Sequence, residues 1–196
     1  MPENRIDETD DDATEPVTRP APASRTRLVP LVVVLTLVVL GADQLAKWRA
    51  LATLVPGQRV DLVGSLLGLE LVFNPGAALS IATGMTWVLT LIAAIVVVVV
   101  ARASRRLGSR LWAVAFGLLL GGALGNLVDR FFRPPGPARG HGVDFIAYGN
   151  WFVGNVADIA IVVAAGLVVL QTLRGVRLDG TRERQADEPG TAVPEP

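Results

Sequence analysis

The sequence predicts an all-α membrane protein in which four transmembrane helices carry a small extracytoplasmic β-sheet and a short interfacial helix in the outer loops. Two observations predict this fold class. Hydrophobic residues make up 51% of the 196 positions, whereas aromatic residues make up only 6%. The apolar residues also occur in long uninterrupted runs, which are typical of membrane spans and not of a soluble core. The length is enough for one domain.

Four apolar segments approach the roughly 20 residues that a helix needs to cross about 30 Å of hydrocarbon. They cover residues 28–48, 85–101, 111–128 and 155–173. The arginines just before the first segment would also suit a secretory signal peptide. Its apolar part is long for a signal peptide, however, and no clear small-x-small cleavage site follows it. We therefore interpret it as a retained transmembrane helix.

Arginine clusters predict the orientation of these helices. They precede the first helix, separate the second from the third and follow the fourth, so four spans place all of them on one side. Because cytoplasmic loops are enriched in Arg and Lys, both termini are predicted to lie in the cytoplasm. The clusters consist of Arg25, Arg27, Arg102, Arg105, Arg106, Arg110, Arg174 and Arg177.

The two ends of the chain differ in composition from its middle. Residues 1–24 hold seven acidic residues among Pro, Ala and Thr, and residues 175–196 are polar with Gly and Pro. Such segments lack the apolar residues that a packed core requires, so both are predicted to be disordered cytoplasmic tails. Residues 25–174 then form the membrane domain.

The two outer loops are residues 49–84 and 129–154. Residues 60–63 and 69–73 are short, largely apolar runs flanked by Pro and Gly, which predicts two short strands of a small sheet. Residues 145–152 are amphipathic and rich in aromatic side chains, which predicts the interfacial helix.

The composition restricts the chemistry that is available. The chain has no cysteine, which excludes disulfides, a cysteine nucleophile and thiolate metal ligands. A single histidine, His141, cannot build a zinc site or a Ser-His-Asp triad by itself. Catalysis would therefore use carboxylates, amides, hydroxyls, arginines or the one lysine, Lys47.

Polar residues collect at one predicted depth, near the outer leaflet. Ionisable residues in or beside membrane helices are costly, so each is a candidate for function. The spacing of Asn126 and Asp129, and that of Asn155 and Asp158, places each pair on one helix face. The whole set is Asp43, Gln44, Lys47, Asn74, Asn126, Asp129, Arg130, Asp144, Asn155 and Asp158.

Several of these residues also have structural interpretations. Asp43 with Lys47, and Asp129 with Arg130, could be ion pairs or interface anchors, and for both pairs we favour a structural role.

Other residues near this level have structural interpretations too. Asn126 and Asn155 could form hydrogen bonds between helices. Asp144 could cap the amphipathic stretch that follows it. Asp158 has no cation beside it in the sequence, so a structural role explains it less well. His141 lies in a Gly-rich loop and is interpreted as exposed and incidental.

Five motifs carry a resemblance to a known family, the lipoprotein signal peptidases. The resemblance covers roughly residues 28–174, and the five motifs occur in order at the predicted places of a four-span layout. Departures at Leu79, His141, Gly154 and Ile159 replace no carboxylate and concern the shape of the pocket. The motifs are Asp43-Gln44-Leu45-Ala46-Lys47, Asn74-Pro75-Gly76-Ala77-Ala78-Leu79, Gly121 to Arg130, Val143-Asp144-Phe145-Ile146 and Asn155-Val156-Ala157-Asp158.

The resemblance implies an aspartic peptidase with Asp144 and Asp158 as the catalytic pair. It implies a diacylglyceryl-modified prolipoprotein as substrate, cleavage just before the lipidated Cys, and inhibition by globomycin. It also implies a bacterial plasma membrane enzyme, expected to be a monomer, that contacts membrane lipid but no nucleic acid and needs no metal or other cofactor. Supporting or substrate-binding roles fall to Asp43, Lys47, Asn74, Gly76, Asn126, Asp129, Arg130 and Asn155.

Two other classes of function remain open at this point. A small proton- or ion-coupled transporter would also need intramembrane aspartates, but it predicts polar groups at several depths across the membrane. A membrane scaffold without catalytic activity would not explain why the polar motifs converge at one level. Two close carboxyls share one proton in an aspartic peptidase, and the sequence does not assign which of the two holds it.

Overall fold

The computed structural model describes residues 28–76 and 86–182. Within them lie four helices long and apolar enough to cross a membrane. They are α1 (Val29–Thr53), α2 (Thr86–Ala103), α3 (Arg110–Phe132) and α4 (Val156–Leu173), and a 3₁₀ turn, Ser104–Arg106, extends α2. The four predicted spans are confirmed, although α1 and α3 continue past their predicted ends.

Helix α3 is the most buried of the four and packs against the other three. Glycines allow this close approach, because small residues let helix backbones come together. A Cβ atom added at Gly117 would lie 2.7 Å from Cβ of Leu35, and one added at Gly121 would lie 2.6 Å from Cβ of Val39. The glycines of α3 therefore set the distance to α1.

One end of the bundle carries a four-stranded antiparallel sheet in the order β1-β2-β3-β4. Strands β1 (Arg59–Val63) and β2 (Leu67–Asn74) confirm the two short strands predicted at residues 60–63 and 69–73. Strands β3 (Gly142–Tyr148) and β4 (Phe152–Gly154) add the second loop, and Val72 pairs with Asp144 in the middle of the sheet.

The predicted interfacial helix at residues 145–152 is wrong. These residues form the second half of β3, a turn and the start of β4. Residues 145–148 alternate buried and partly buried side chains as a strand does, since β3 pairs with β2 on one side and β4 on the other. Gly149 makes the turn with φ +56°, and Tyr148 stacks on Phe152 across it with ring centroids 4.6 Å apart.

The polar segment after α4 also differs from its prediction as far as the structure describes it. Residues 175–182 were predicted to be disordered, but they fold back beside the start of α3. Val176 pairs with Arg182, the Val176 carbonyl accepts a hydrogen bond from Trp112 Nε1 at 3.0 Å, and the Gly108 amide donates to the Leu178 carbonyl at 2.8 Å. The predicted tails at 1–24 and 183–196, and part of the first outer loop at 77–85, lie outside the described residues.

Candidate active site

Every predicted site residue lies at the end of the bundle that carries the sheet. The residues come from the second half of α1, the end of β2, the last turns of α3, the middle of β3 and the first turn of α4. The topology explains the convergence, because α1 and α3 run toward the sheet and α4 begins beside it. The sequence prediction that these residues form one cluster is confirmed by their hydrogen bonds.

Asp144 is held by two side-chain amides. The residue lies in β3 and is almost fully buried. Nδ2 of Asn74 donates to its Oδ2 at 2.8 Å, and Nδ2 of Asn155 donates to its Oδ1 at 2.6 Å. Burial and the charge of Asp158 raise the pKa of Asp144, whereas the two amides and Lys47 partly oppose that rise.

The backbone amide of Gly76 fixes the orientation of Asn74. It donates to Oδ1 of Asn74 at 2.8 Å, so the Asn74 NH₂ group must face Asp144. Gly76 has φ +102°, and a Cβ atom there would lie 2.6 Å from Cδ1 of Leu89. The positive φ favours glycine at this position, and a side chain there would also displace the Leu89 methyl group.

Asp158 lies in the first turn of α4, where Asn155 is the N-cap. The two form a capping box: Oδ1 of Asn155 accepts from the Asp158 backbone N–H at 3.0 Å, and Oδ2 of Asp158 accepts from the Asn155 backbone N–H at 3.1 Å. Nδ2 of Asn126 donates to the other oxygen, Oδ1, at 3.0 Å. Each oxygen of Asp158 thus receives an N–H donor.

A buried ion cluster lies behind the two aspartates. Nζ of Lys47 lies 2.8 Å from Oδ2 of Asp43 and 2.6 Å from Oδ2 of Asp129, and all three side chains have no exposed surface. Asp43 also accepts from the backbone N–H of Ala157 at 2.9 Å, so the cluster ties α1 to the start of α4. The predicted Asp43–Lys47 ion pair is confirmed.

The other predicted pair, Asp129 with Arg130, is not formed. Asp129 instead pairs with Lys47 and, at 2.6 Å, with Nε of Arg133, one helical turn further along α3. Consecutive residues point about 100° apart on a helix, whereas residues four apart share a face. Arg130 turns back and donates from Nη1 to the Asn126 carbonyl at 3.0 Å.

Arg130 keeps an unused donor inside the protein. Its Nε is buried and has no hydrogen-bond partner among residues 28–76 and 86–182. A buried donor without a partner costs about 1–3 kcal/mol. An oxygen acceptor that entered the site would recover that energy.

Sequence reasoning missed two residues near the site. Arg133 was interpreted only as part of a loop, although its spacing from Asp129 was the signal for an ion pair. Tyr148 was assigned only to the predicted interfacial helix at residues 145–152. Burial and then the charge of Asp158 raise the Tyr148 pKa. The charge of Asp158 therefore acts on Tyr148 as well as on Asp144.

His141 is partly buried, not exposed as predicted. With Leu51, Phe73, Arg133 and Pro134 it lines a cavity of about 460 Å³. Phe73 and Asn74 are consecutive in β2, so their side chains point to opposite faces of the sheet, which separates this cavity from the Asp144 side. No group of three or more His, Cys, Asp or Glu side chains among the described residues is placed to hold a metal ion.

The fold and the site define a helical membrane protein in which amides join a buried aspartate, Asp144, and a partly buried one, Asp158, at one end of the bundle. Comparison with known proteins gives the family. Residues 35–174 match the family described as Signal peptidase (SPase) II. The chain therefore belongs to the signal peptidase II family: it is a peptide hydrolase and a multi-pass bacterial membrane protein.

Individual relatives agree with this assignment. A lipoprotein signal peptidase of Rhodococcus jostii is 51% identical over 183 residues, which are 92% of each chain. One from Mycobacterium tuberculosis strain H37Rv is 51% identical over 168 residues, covering 86% of this chain and 82% of the relative. These relatives do not support the transporter alternative.

A solved structure of a bacterial membrane enzyme, determined by the in meso method at 2.3 Å, shares the fold. It has a TM-score of 0.67 at 23% identity and covers 80% of this chain and 96% of its own.

Proposed function

We propose that the protein removes signal peptides from diacylglyceryl-modified prolipoproteins and cuts just before the lipidated Cys, with Asp144 and Asp158 as an aspartic catalytic pair. The lipoprotein signal peptidase name of the relatives supports the substrate class. The catalytic assignment rests on one observation, which is that Asn155 contacts both carboxyls, through its side chain and its backbone.

The paired carboxyls provide both an acid and a base. Two carboxyls that lie close together do not both ionise easily, and in an aspartic catalytic pair they share one proton. The ionised carboxylate takes a proton from a water molecule, whose oxygen attacks the scissile carbonyl carbon. The protonated carboxyl donates a hydrogen bond to the carbonyl oxygen. When the C–N bond breaks, a proton passes to the leaving amine, and no metal or organic cofactor enters these steps.

The raised pKa of Asp144 supports this pairing. Its largest cause is burial, and the charge of Asp158 adds to it, as expected for carboxyls that titrate together. Both aspartates come from one chain, so the catalytic pair is complete in a monomer.

Arg130 and the neighbouring amides are suited to hold the substrate. The buried Nε of Arg130 needs an acceptor, and a peptide carbonyl supplies one. Asn126 and Asn155 orient the catalytic pair through the hydrogen bonds described above.

The membrane orientation follows from the charge distribution. Arginines cluster at the end of the bundle opposite the sheet, in the turn between α2 and α3 and after α4. Placing that end in the cytoplasm puts both termini there and the catalytic pair near the outer leaflet. Trp151 and Phe132 are 86% and 82% exposed at the sheet end, as expected for side chains in the outer interface. The substrate's acyl chains then stay in the bilayer while its peptide reaches the aspartates.

We also propose that the part of the sheet within residues 49–73 and the Pro-rich loop at 133–137 cover the bound peptide. The first belongs to the outer loop after α1, and the second to the outer loop after α3. A crosslink between β1 and this loop is expected to lower the cleavage rate. An unchanged rate in the crosslinked protein would remove this role from the loops.

The substrate assignment is tested with purified protein and two versions of one prolipoprotein, with and without the diacylglyceryl group. We expect cleavage of the lipidated version only, mass spectrometry to place the cut before the Cys, and globomycin to abolish it. Equal cleavage of both versions would contradict the lipid requirement, and no cleavage of the lipidated version would contradict the proposed function.

A further inference from the structure

Lys47 contacts more than its ion-pair partners. An ammonium group has three N–H donors and no acceptor. Two point to Asp43 and Asp129, and the third to Oδ1 of Asn126 at 3.3 Å. All the donors of this fully buried group are therefore used.

The third contact determines which way the Asn126 amide faces. With its oxygen toward Lys47 and, at 3.4 Å, toward Nδ2 of Asn155, its NH₂ group faces Oδ1 of Asp158. The opposite orientation would set an NH₂ group against the ammonium and an oxygen against the carboxylate. Both contacts of that flipped amide would be repulsive.

The orientation bears on the placement of Asp158. Its Oδ1 accepts from the Asn126 amide and its Oδ2 from the backbone of Asn155, so both oxygens are held. It also lies at the N-terminal turn of an 18-residue helix, where the macrodipole favours negative charge. Asp144 lies in β3, not on the helix, and is almost fully buried, although it too accepts from two amides, those of Asn74 and Asn155.

The geometry points to Lys47 as a positioning residue that acts through the Asn126 amide to hold the Asp158 carboxyl in place beside Asp144. This inference rests on the proposed function and deepens it. Lys47 touches no reacting atom.

The first test uses the substitution Asn126→Asp in the otherwise native full-length chain. The aspartate keeps an oxygen for Lys47 but cannot donate to Asp158 unless it is protonated. We expect kcat for the lipidated prolipoprotein to fall at least tenfold, with KM within twofold of wild type. A kcat equal to that of wild type would overturn the inference, because Asn126 would then serve Lys47 only as an acceptor.

The second test separates positioning by Lys47 from its charge. Lys47→Met alone leaves the buried carboxylate of Asp43 without a cation, so Asp43→Asn/Lys47→Met is compared with Asp43→Asn. The double variant leaves Asp129 paired with Arg133 and is expected to be at least as heat-stable as Asp43→Asn. We expect its kcat to be at least tenfold lower than that of Asp43→Asn, at similar KM. Equal kcat values would overturn the inference.

A third comparison locates the effect. Asp43→Asn and Asp43→Asn/Lys47→Met are each also made in a chain that carries Asn126→Ala. There we expect the two kcat values to differ by less than twofold, because the amide through which Lys47 acts is gone. A tenfold change there would show that Lys47 acts by another route. Cleavage by wild type and its loss in Asp158→Asn test the proposed function itself, so a failure of that function is distinguishable from a failure of this inference.

Discussion

Nδ2 of Asn155 lies 2.6 Å from Oδ1 of Asp144, and the same residue caps the helix that carries Asp158. One side chain thus starts α4 and connects it to β3. The position of one aspartate relative to the other is therefore set by a helix cap. The same residue contributes both to stability and to the geometry of the pair, and substitutions can separate the two.

Asn155→Ser is expected to lower kcat about 100-fold, since orientation of catalytic groups can supply several kcal/mol of the barrier, while stability changes little. Serine is as good an N-cap as asparagine but cannot reach Asp144 with an NH₂ group. Asn155→Ala should lose the activity and also about 1 kcal/mol of stability from the missing cap. Cleavage kinetics and thermal unfolding in detergent measure the two effects. Wild-type kcat in the serine variant would contradict the role of the amide.

The alkaline limb of the pH–rate profile should move to higher pH in Asn74→Ala. The amide of Asn74 hydrogen-bonds the ionised form of Asp144 and lowers its pKa, against the rise that burial causes. Without that amide the pKa rises further, and the proton that catalysis needs is kept to higher pH. Activity is present below this pKa and lost above it.

The matched control for Asn74→Ala is Glu70→Gln, which removes a carboxylate from the same strand outside this network. Its alkaline limb should coincide with that of wild type. A shift of the Asn74→Ala limb to lower pH would contradict the account.

Gly121→Ala should separate α1 from α3 and lower both stability and activity. Its added methyl group would meet Val39 at 2.6 Å, and overpacking of this kind costs about 1–3 kcal/mol. Gly166→Ala in α4 is the control, because nothing lies within 4 Å of the added Cβ atom. We expect this control to be neutral or slightly stabilising in thermal unfolding. Equal stability of the two variants would argue against tight packing of these helices.

Lys47→Met alone should destabilise the protein by about 3–5 kcal/mol, because it leaves buried carboxylates without their cation. Arg49→Met, two residues further along α1, removes an exposed cation and serves as the control. Unfolding in a denaturing detergent series compares the variants. A loss of stability no larger than that of the control would mean that the buried cluster is solvated or uncharged.

The helices could be predicted because apolar runs of the required length have few other uses. Their ends were less certain. Helix α1 continues to Thr53, since no residue opposes a helix until Pro56, and α3 continues to Phe132, since the residue before Pro134 is the first that disfavours helix.

The hairpin at residues 145–152 could not be predicted as easily, because strand β3 depends on β2, about 70 residues earlier in the chain. The partners Val72 and Asp144 show this separation. A short amphipathic segment suits either a helix or a strand until its partner is known.

The convergence of the polar motifs could be predicted from topology, but their pairing could not. Their adjacency in the sequence suggested an ion pair between Asp129 and Arg130. In the folded chain Asp129 instead forms ion pairs with Lys47 and Arg133. Which amide faces which carboxylate depends on distances that only the folded chain provides.

The most direct test of the account is the cleavage rate of the lipidated prolipoprotein by wild type, Asp144→Asn and Asp158→Asn, with thermal unfolding recorded for each. The account predicts that both variants remain folded and that each loses at least about 10³-fold in kcat, as expected when half of an acid–base pair is removed. A folded variant with a rate near that of wild type would show that its aspartate is structural and would contradict the catalytic pair.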